Sequence, residues 1–529
     1  FADITIVAGE NLIDTAGNPP LGVITRNVGG AALFNDAGTA TATGTTLSNG
    51  IIGPWAVVRS AGVSANKSAT GDTYATLSGS SVVPYTGATA VTSGFIDSGG
   101  TGVANFDLSS SGTLGAIGFT RNHNTLRYTG TGLTQAGNVN PVASIFTFNG
   151  IMNAGSGELN LGGTGGSNNY PINTTVGALN DLVLAPMTAG ITLRGGILNG
   201  SGGTSAVTVM GNQTVTIAGN TSTYSGPTTV AGGTLLVSGT STINTTSGIT
   251  INGSNAKYVH TSSVASTAPI SLTNGTLDGT GTVGAVTVAD NPSAIVANGN
   301  GGTTPLVVGS LTFNGDATVN LNRNASTPLQ VTGALTTTLA NGQVTLNVPG
   351  TLPNGLVNLI SFGSFTGNDI DFIANFPGLG GRQVPGAPQL NGNNIAVNII
   401  GESIEWAGTG GSTWETATTG DDSGPNNWVR KNALTFTNFW VSDEVEFNDT
   451  YGGGNPVSQS NVQIATSVSP LSTSFNNSAV PYVIESLGNG IASGPLTKNG
   501  SGTTTLLGTH TFTGATTINA GTLRLGNGT

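Results

Sequence analysis

Thr223-Tyr224-Ser225-Gly226-Pro227-Thr228-Thr229-Val230-Ala231-Gly232-Gly233-Thr234-Leu235-Leu236-Val237 recurs, almost word for word, 288 positions later as Thr511-Phe512-Thr513-Gly514-Ala515-Thr516-Thr517-Ile518-Asn519-Ala520-Gly521-Thr522-Leu523-Arg524-Leu525. Each copy runs through an aromatic residue, a glycine, a Thr-Thr-aliphatic strand, a glycine turn and a Thr-Leu-x-aliphatic strand. Tyr224 matches Phe512, Gly226 matches Gly514, Gly233 matches Gly521, and Leu235 matches Leu523. A recurring strand–turn unit that cannot bury its apolar face alone marks a solenoid, in which each turn covers the next. The two copies are therefore expected to superpose, with the paired glycines at tight corners where a side chain would clash or strain the backbone.

Composition supports the same class. Charged residues make up 7% of the 529 positions, against roughly a quarter in an ordinary domain. The Glu, Lys, Arg and Leu that suit long helices are scarce, and 84 glycines are spread along the chain. Hydrophobic residues, 36% of the total, alternate with Thr, Ser and Asn, as strands with one buried face require. Thirteen basic residues against 24 acidic ones give a net charge of −11 with no basic cluster, which disfavours nucleic-acid binding. The absence of cysteine excludes disulfides, thiolate metal sites and cysteine nucleophiles. No apolar run approaches the roughly 18 residues of a membrane helix. The chain opens in a strand pattern, Phe1-Ala2-Asp3-Ile4-Thr5, and ends one turn after another; both ends read as interruptions of a longer pattern, so a larger precursor is expected.

Four segments follow from the patterning. Residues 1–140 form an N-terminal β region without an obvious period, and residues 141–400 form a β-solenoid. In the latter, Thr214-Val215-Thr216-Ile217, Thr318-Val319-Asn320-Leu321 and Gln343-Val344-Thr345-Leu346 each put every second residue on an apolar face. Val215, Ile217, Val319, Leu321, Val344 and Leu346 are expected to stack in inward columns. Residues 401–455 hold Trp406, Trp414, Trp428 and Trp440 among a dense acidic set, and read as an insertion with its own small core rather than a sugar-binding aromatic platform. Residues 456–529 return to the solenoid and carry the second copy.

Asn499-Gly500-Ser501-Gly502-Thr503-Thr504-Thr505-Leu506-Leu507-Gly508, followed by Thr511-Phe512-Thr513-Gly514 and Gly521-Thr522-Leu523, resembles the autotransporter-associated β-strand repeat of bacterial surface proteins, notably large ones from planctomycetes and verrucomicrobia. Three other stretches resemble segments that accompany such repeats: Leu352 to Gly363, the tryptophan-bearing stretch with Val445-Glu446-Phe447-Asn448-Asp449-Thr450, and Ile52-Gly53-Pro54-Trp55-Ala56. The resemblance implies a right-handed parallel β-helix exported to the cell surface, and it implies no catalytic residue. Two departures stand out. Ser222 and His510 replace the asparagine common two residues before the aromatic, and no membrane-anchoring barrel is expected within residues 1–529, which leaves the export and anchoring route open.

Candidate chemistry is sparse. His123, His260 and His510 lie far apart, without metal-ligand spacing. Asp369 and Asp371 would point to one face of a strand, and they are the best pair for acid–base work. Asp443, Glu444, Glu446 and Asp449 offer hard oxygen ligands for Ca²⁺ but lack a calcium-loop motif. Gly162-Gly163-Thr164-Gly165-Gly166 lacks the lysine of a phosphate loop and reads as a turn. The leading expectation is a non-enzymatic extracellular structural or adhesive protein without cofactors, with surface glycans as candidate partners. The alternative is a polysaccharide-degrading β-helix enzyme, a lyase or glycoside hydrolase. Strand edges at the two ends, through Phe1, Ile4, Ile6, Leu523 and Leu525, are expected to support end-to-end self-association.

Overall fold

The computed structural model describes residues 2–14, 20–35, 40–60, 71–95, 101–115, 121–135, 145–162, 172–173, 181–201, 203–299, 303–321, 328–338, 342–349, 352, 355–377, 383–414, 427–441 and 443–526. The protein is all-β, a solenoid of about 19 turns built from parallel strands. Among the described residues the single helical element is a 3-10 turn at Asp369–Asp371. Two compact units divide the chain: residues 1–348 with 360–375, and residues 349–359 with 376–529.

The first unit begins with order that the sequence does not advertise. Strands Ala2–Ile6, Pro20–Arg26 and Thr41–Ala42 stack in parallel, and so do Gly9–Ile13, Gly30–Phe34 and Ala56–Val58. Ile4 pairs with Ile24 and Gly9 with Gly30, so about 20 residues make one turn. An antiparallel hairpin, Thr73–Ser78 with Ser81–Pro84, closes this short stack.

From Thr89 onward a longer ladder of parallel strands takes over and runs to Asn375. Its inward columns are continuous. Leu133, Leu159, Ile191, Val215, Leu235, Tyr258, Leu277, Val296, Val319 and Leu346 pair one to the next. Ten successive turns thus place an apolar side chain on the same line, each at most 1% exposed. Ile217, Leu321 and Val344 also turn inward, as the alternation predicts. Corner length is elastic: one turn takes 16 residues between Ile270 and Val286 but 33 between Ile151 and Leu184. Fixed strands with variable corners explain why the repeat is visible in only two copies.

In the second unit, Ser403–Trp406, Glu444–Phe447, Ser472–Phe475, Leu496–Lys498 and Thr516–Ile518 form one parallel ladder. Asn461–Ile464, Tyr482–Ser486, Thr503–Leu507 and Thr522–Leu525 form a second. The tryptophan-rich segment therefore supplies strands to the ladder, and it adds antiparallel strands Trp428–Arg430 and Phe436–Thr437 beside it. Trp406, Trp414 and Trp428 are fully buried with Phe439, Phe447, Phe475 and Tyr482. Ring centroids of Trp406 and Trp428 lie 5.0 Å apart, and those of Phe447 and Phe475 lie 4.9 Å apart. These rings are core, and three of the four indoles have no face to offer a sugar.

Candidate functional site

Both repeat copies fold as the same piece of backbone. Thr228–Val230 and Thr516–Ile518 are the first strands, and Thr234–Ser238 and Thr522–Leu525 the second. The hydrogen bonds between turns also correspond. Ala231 and Gly232 donate to Val209 O, while Asn519 and Ala520 donate to Lys498 O. Gly233 and Gly521 both sit at positive φ, 64° and 74°. A Cβ on Gly226 would collide with Ser205 O, and one on Gly514 with the backbone at Gly494 and Pro495. The four glycines are therefore required by close approach of the turn beneath or by left-handed backbone.

Tyr224 is fully buried and its hydroxyl meets Thr228 Oγ1 at 2.5 Å. Phe512 is only partly buried at the end of its core cluster, and Leu523 likewise. The corner residue two places before each aromatic does equivalent work with different chemistry. Ser222 Oγ accepts the Ile197 N–H at 3.0 Å, and His510 Nδ1 accepts the Ile491 N–H at 3.2 Å. The second contact requires a neutral imidazole, and burial pushes the His510 pKa below its ordinary value, opposed by its backbone hydrogen bonds.

The sequence reading missed an asparagine ladder in the second unit. Asn519 Nδ2 donates to Asn499 Oδ1 (2.7 Å), Asn499 to Asn476 (2.9 Å), and Asn476 to Asn448 (2.9 Å). Asn448 then donates to Glu405 Oε1 at 2.9 Å, so a carboxylate terminates a chain of aligned amides. Its signal was present: Phe447, Phe475, Lys498 and Ile518, the last residues of successive ladder strands, are each followed by asparagine. Lys498 was missed too. It is fully buried, its Nζ donates to Asn477 O at 3.3 Å and to Gly500 O, and burial lowers its pKa against the pull of Asp449.

The residues singled out for chemistry are engaged in holding the fold. Asp369–Asp371 is a 3-10 turn rather than a strand, so the two carboxyls do not share a strand face. Asp371 Oδ2 accepts the Thr337 hydroxyl at 2.5 Å and the Asn368 N–H at 2.9 Å, a capping role. Asp443 accepts N–H groups of Glu402 and Trp440, and Glu444 accepts the Ser403 hydroxyl. Glu446 pairs with Lys431 at 2.6 Å. Asp449 takes the N–H groups of Ser478, Ala479 and Val480 at 2.8–3.0 Å; burial alone would raise its pKa, and these donors hold it below the ordinary value. His260 is buried, with Nδ1 3.2 Å from the Tyr258 hydroxyl and Nε2 3.0 Å from Val264 O. His123 packs edge-on to Phe106, centroids 4.5 Å apart. Glu415, Asp421, Asp422, Gly163 to Gly166 and Phe1 lie outside the described residues.

Ile4 is partly buried and Ile6 is 3% exposed, both on the strand at one margin of its sheet. Leu525 is 75% exposed on the last described strand. Among the described residues no helix is long and apolar enough to cross a membrane.

Comparison with known proteins adds one finding. Residues 207–237 and 496–525 match the family described as passenger-associated-transport-repeat. No curated protein and no solved structure matches the chain. Each matched stretch contains one of the duplicated copies together with the strand of the preceding turn, so the chain carries autotransporter passenger-like repeats as rungs of a parallel solenoid.

Proposed function

We propose that the chain is a non-enzymatic structural or adhesive element of a bacterial surface, exported as a passenger-type β-solenoid and joined end to end into fibres. The observation that carries this reading is the seating of both passenger-type repeats as ladder rungs. The chemistry around them agrees. The carboxylates singled out in the sequence, Asp371 for acid–base work and the set from Asp443 to Asp449 for calcium, serve as caps and as hydrogen-bond or ion-pair partners. An apolar line ten turns long gives a stiff support that presents Thr, Ser and Asn outward, groups suited to contact with neutral glycans. Among the described residues, Ala2–Ile6 and Thr522–Leu525 each stand at the margin of their sheet, and these margins are the edges proposed for the end-to-end joint.

Labelling of intact cells with an antibody to the chain, with negative-stain microscopy of the native material, tests the proposal. Surface label and filaments are expected, and deleting residues 1–10 should abolish the filaments. Detectable polysaccharide cleavage, lost on Asp371→Asn in a folded variant, would overturn the non-enzymatic reading. Uniform monomers at high concentration would remove polymerisation.

A further inference from the structure

One outward column of the first unit is hydroxylic over successive turns. Thr250, Ser271, Thr287, Thr312, Thr336 and Thr366 pair one to the next on a single line. Beside them Ala285 pairs with Ser310, and Ala334 with Ser364. Strands Thr282–Val288, Val307–Phe313 and Leu329–Thr337, with residues 360–366, contain no charged side chain, although the whole chain carries −11. A rigid, small-residue, uncharged face within an acidic protein is the place where two copies can approach without repulsion.

The same column shows what such a face accepts. Traced backward it continues through Thr229, Thr208 and Val183, and there it is covered by the chain's own N-terminal stack. Met152, Val183, Ala185, Met210 and Ala231 share one buried cluster with Ile6, Ala32 and Trp55. Arg26 Nη2 meets Asp181 Oδ2 at 2.5 Å, both side chains nearly unexposed, and Asn252 Nδ2 donates to Ala8 O at 2.7 Å. The first turns of the face are thus a built sheet-on-layer interface, and the later turns are its uncovered continuation.

We propose that this bare face is a homotypic docking surface that takes the same face of a second copy, side by side. A second copy has the identical turn spacing, so hydroxyls meet hydroxyls in register along the whole line; any other layer would need to share that period. Six turns at about 4.8 Å, across strands of five to seven residues at about 3.3 Å each, present roughly 500–650 Å² per copy. The total, about 1,000–1,300 Å², is near the lower bound of a specific interface, so the pair is a reversible one. Because one patch meets itself, the contact is isologous and residues at its centre face their own copies. The inference does not depend on surface location or on end-to-end joining.

The chain has no cysteine, so single cysteines report cleanly. Under mild oxidation, full-length Thr312→Cys should form a disulfide dimer roughly tenfold faster or more than Thr345→Cys, which is outward on the other ladder, because pairing raises local thiol concentration toward millimolar. Sedimentation of the chain lacking residues 1–10, in which end-joining is blocked, should shift toward twice the monomer mass with rising concentration, and Thr312→Lys in that background should abolish the shift with an unchanged circular dichroism spectrum. Equal cross-linking at Thr312 and Thr345, or a parent that stays monomeric while end-joining is blocked by deleting residues 1–10, would overturn the proposal.

Discussion

Residues 223–237 and 511–525 have one sequence pattern, one backbone and one set of corner glycines, yet they differ in burial. Tyr224, Val230, Leu235 and Val237 are wholly buried, while Ile518 is 53% and Leu525 75% exposed. The first copy has turns paired on both sides, at 206–209 and 249–251 for its first strand. Among the described residues the second is paired on one side, to Leu496–Lys498 and Thr503–Leu507. Conformation is thus written into each turn by glycines and strand formers, whereas burial comes from neighbours, as nearest-neighbour stability in solenoids requires.

That contrast sets the size of mutational effects. Leu235→Asp should cost about 3–5 kcal/mol, because it strands a carboxylate in a dry column. Leu523→Asp, at the matching place in the second copy, should cost about 1 kcal/mol or less. Denaturant unfolding with hydrogen exchange read over each copy checks both, and equal costs would break the comparison. Gly233→Ala and Gly521→Ala should instead cost similar amounts, about 1–3 kcal/mol, since both positions combine positive φ with a carbonyl in the path of the new Cβ. A tolerated alanine at either would show that the corner is not constrained by backbone.

The corner residues offer a pH test. His510 has its folded pKa lowered by burial, so the unfolded chain binds the proton more tightly. Its contribution is complete above about pH 6.5, the unfolded value, and is lost as pH falls through that value toward the lower folded one. His510→Asn should therefore flatten the stability profile of the second unit between pH 7 and 5, while Ser222→Asn should leave the profile of its own copy unchanged in shape. A smaller effect is expected in the amide ladder. Asn499→Ala should cost about 0.5–1.5 kcal/mol by interrupting the chain to Glu405; the first copy has Ala231 at the place of Asn519 and no ladder there to lose.

Much of the fold is legible in the sequence because parallel rungs are written locally. Val215, Val319 and Leu346 announce inward columns by alternation alone, and the duplicated stretch fixes the repeating unit. The N-terminal stack was not legible. Its turns keep a spacing of about 20 residues, but they rest on short strands such as Thr41–Ala42, whose residues do not repeat a recognisable pattern. The carboxylates misled for a related reason. Asp369 and Asp371 alternate as if in a strand, but the Asp371 carboxylate accepts the Asn368 N–H and caps a 3-10 turn. Trp406, Trp414 and Trp428 are buried as expected, but in a core shared with Val462, Phe475, Tyr482 and Leu496 of the following turns, and the parallel pairing of Ser403–Trp406 with Glu444–Phe447 joins residues 41 apart (Ser403 with Glu444), beyond any local signal.

The parallel stack itself is open to a direct distance measurement. Thr214, Thr234, Lys257, Thr276, Ile295, Thr318 and Thr345 pair in succession, so Thr214 and Thr345 stand six turns apart on one outward line. Spin labels on a Thr214→Cys/Thr345→Cys chain should give one narrow distance distribution centred near 29 Å, six steps of about 4.8 Å. A broad distribution, or a single distance displaced by more than about two such steps, would contradict the solenoid.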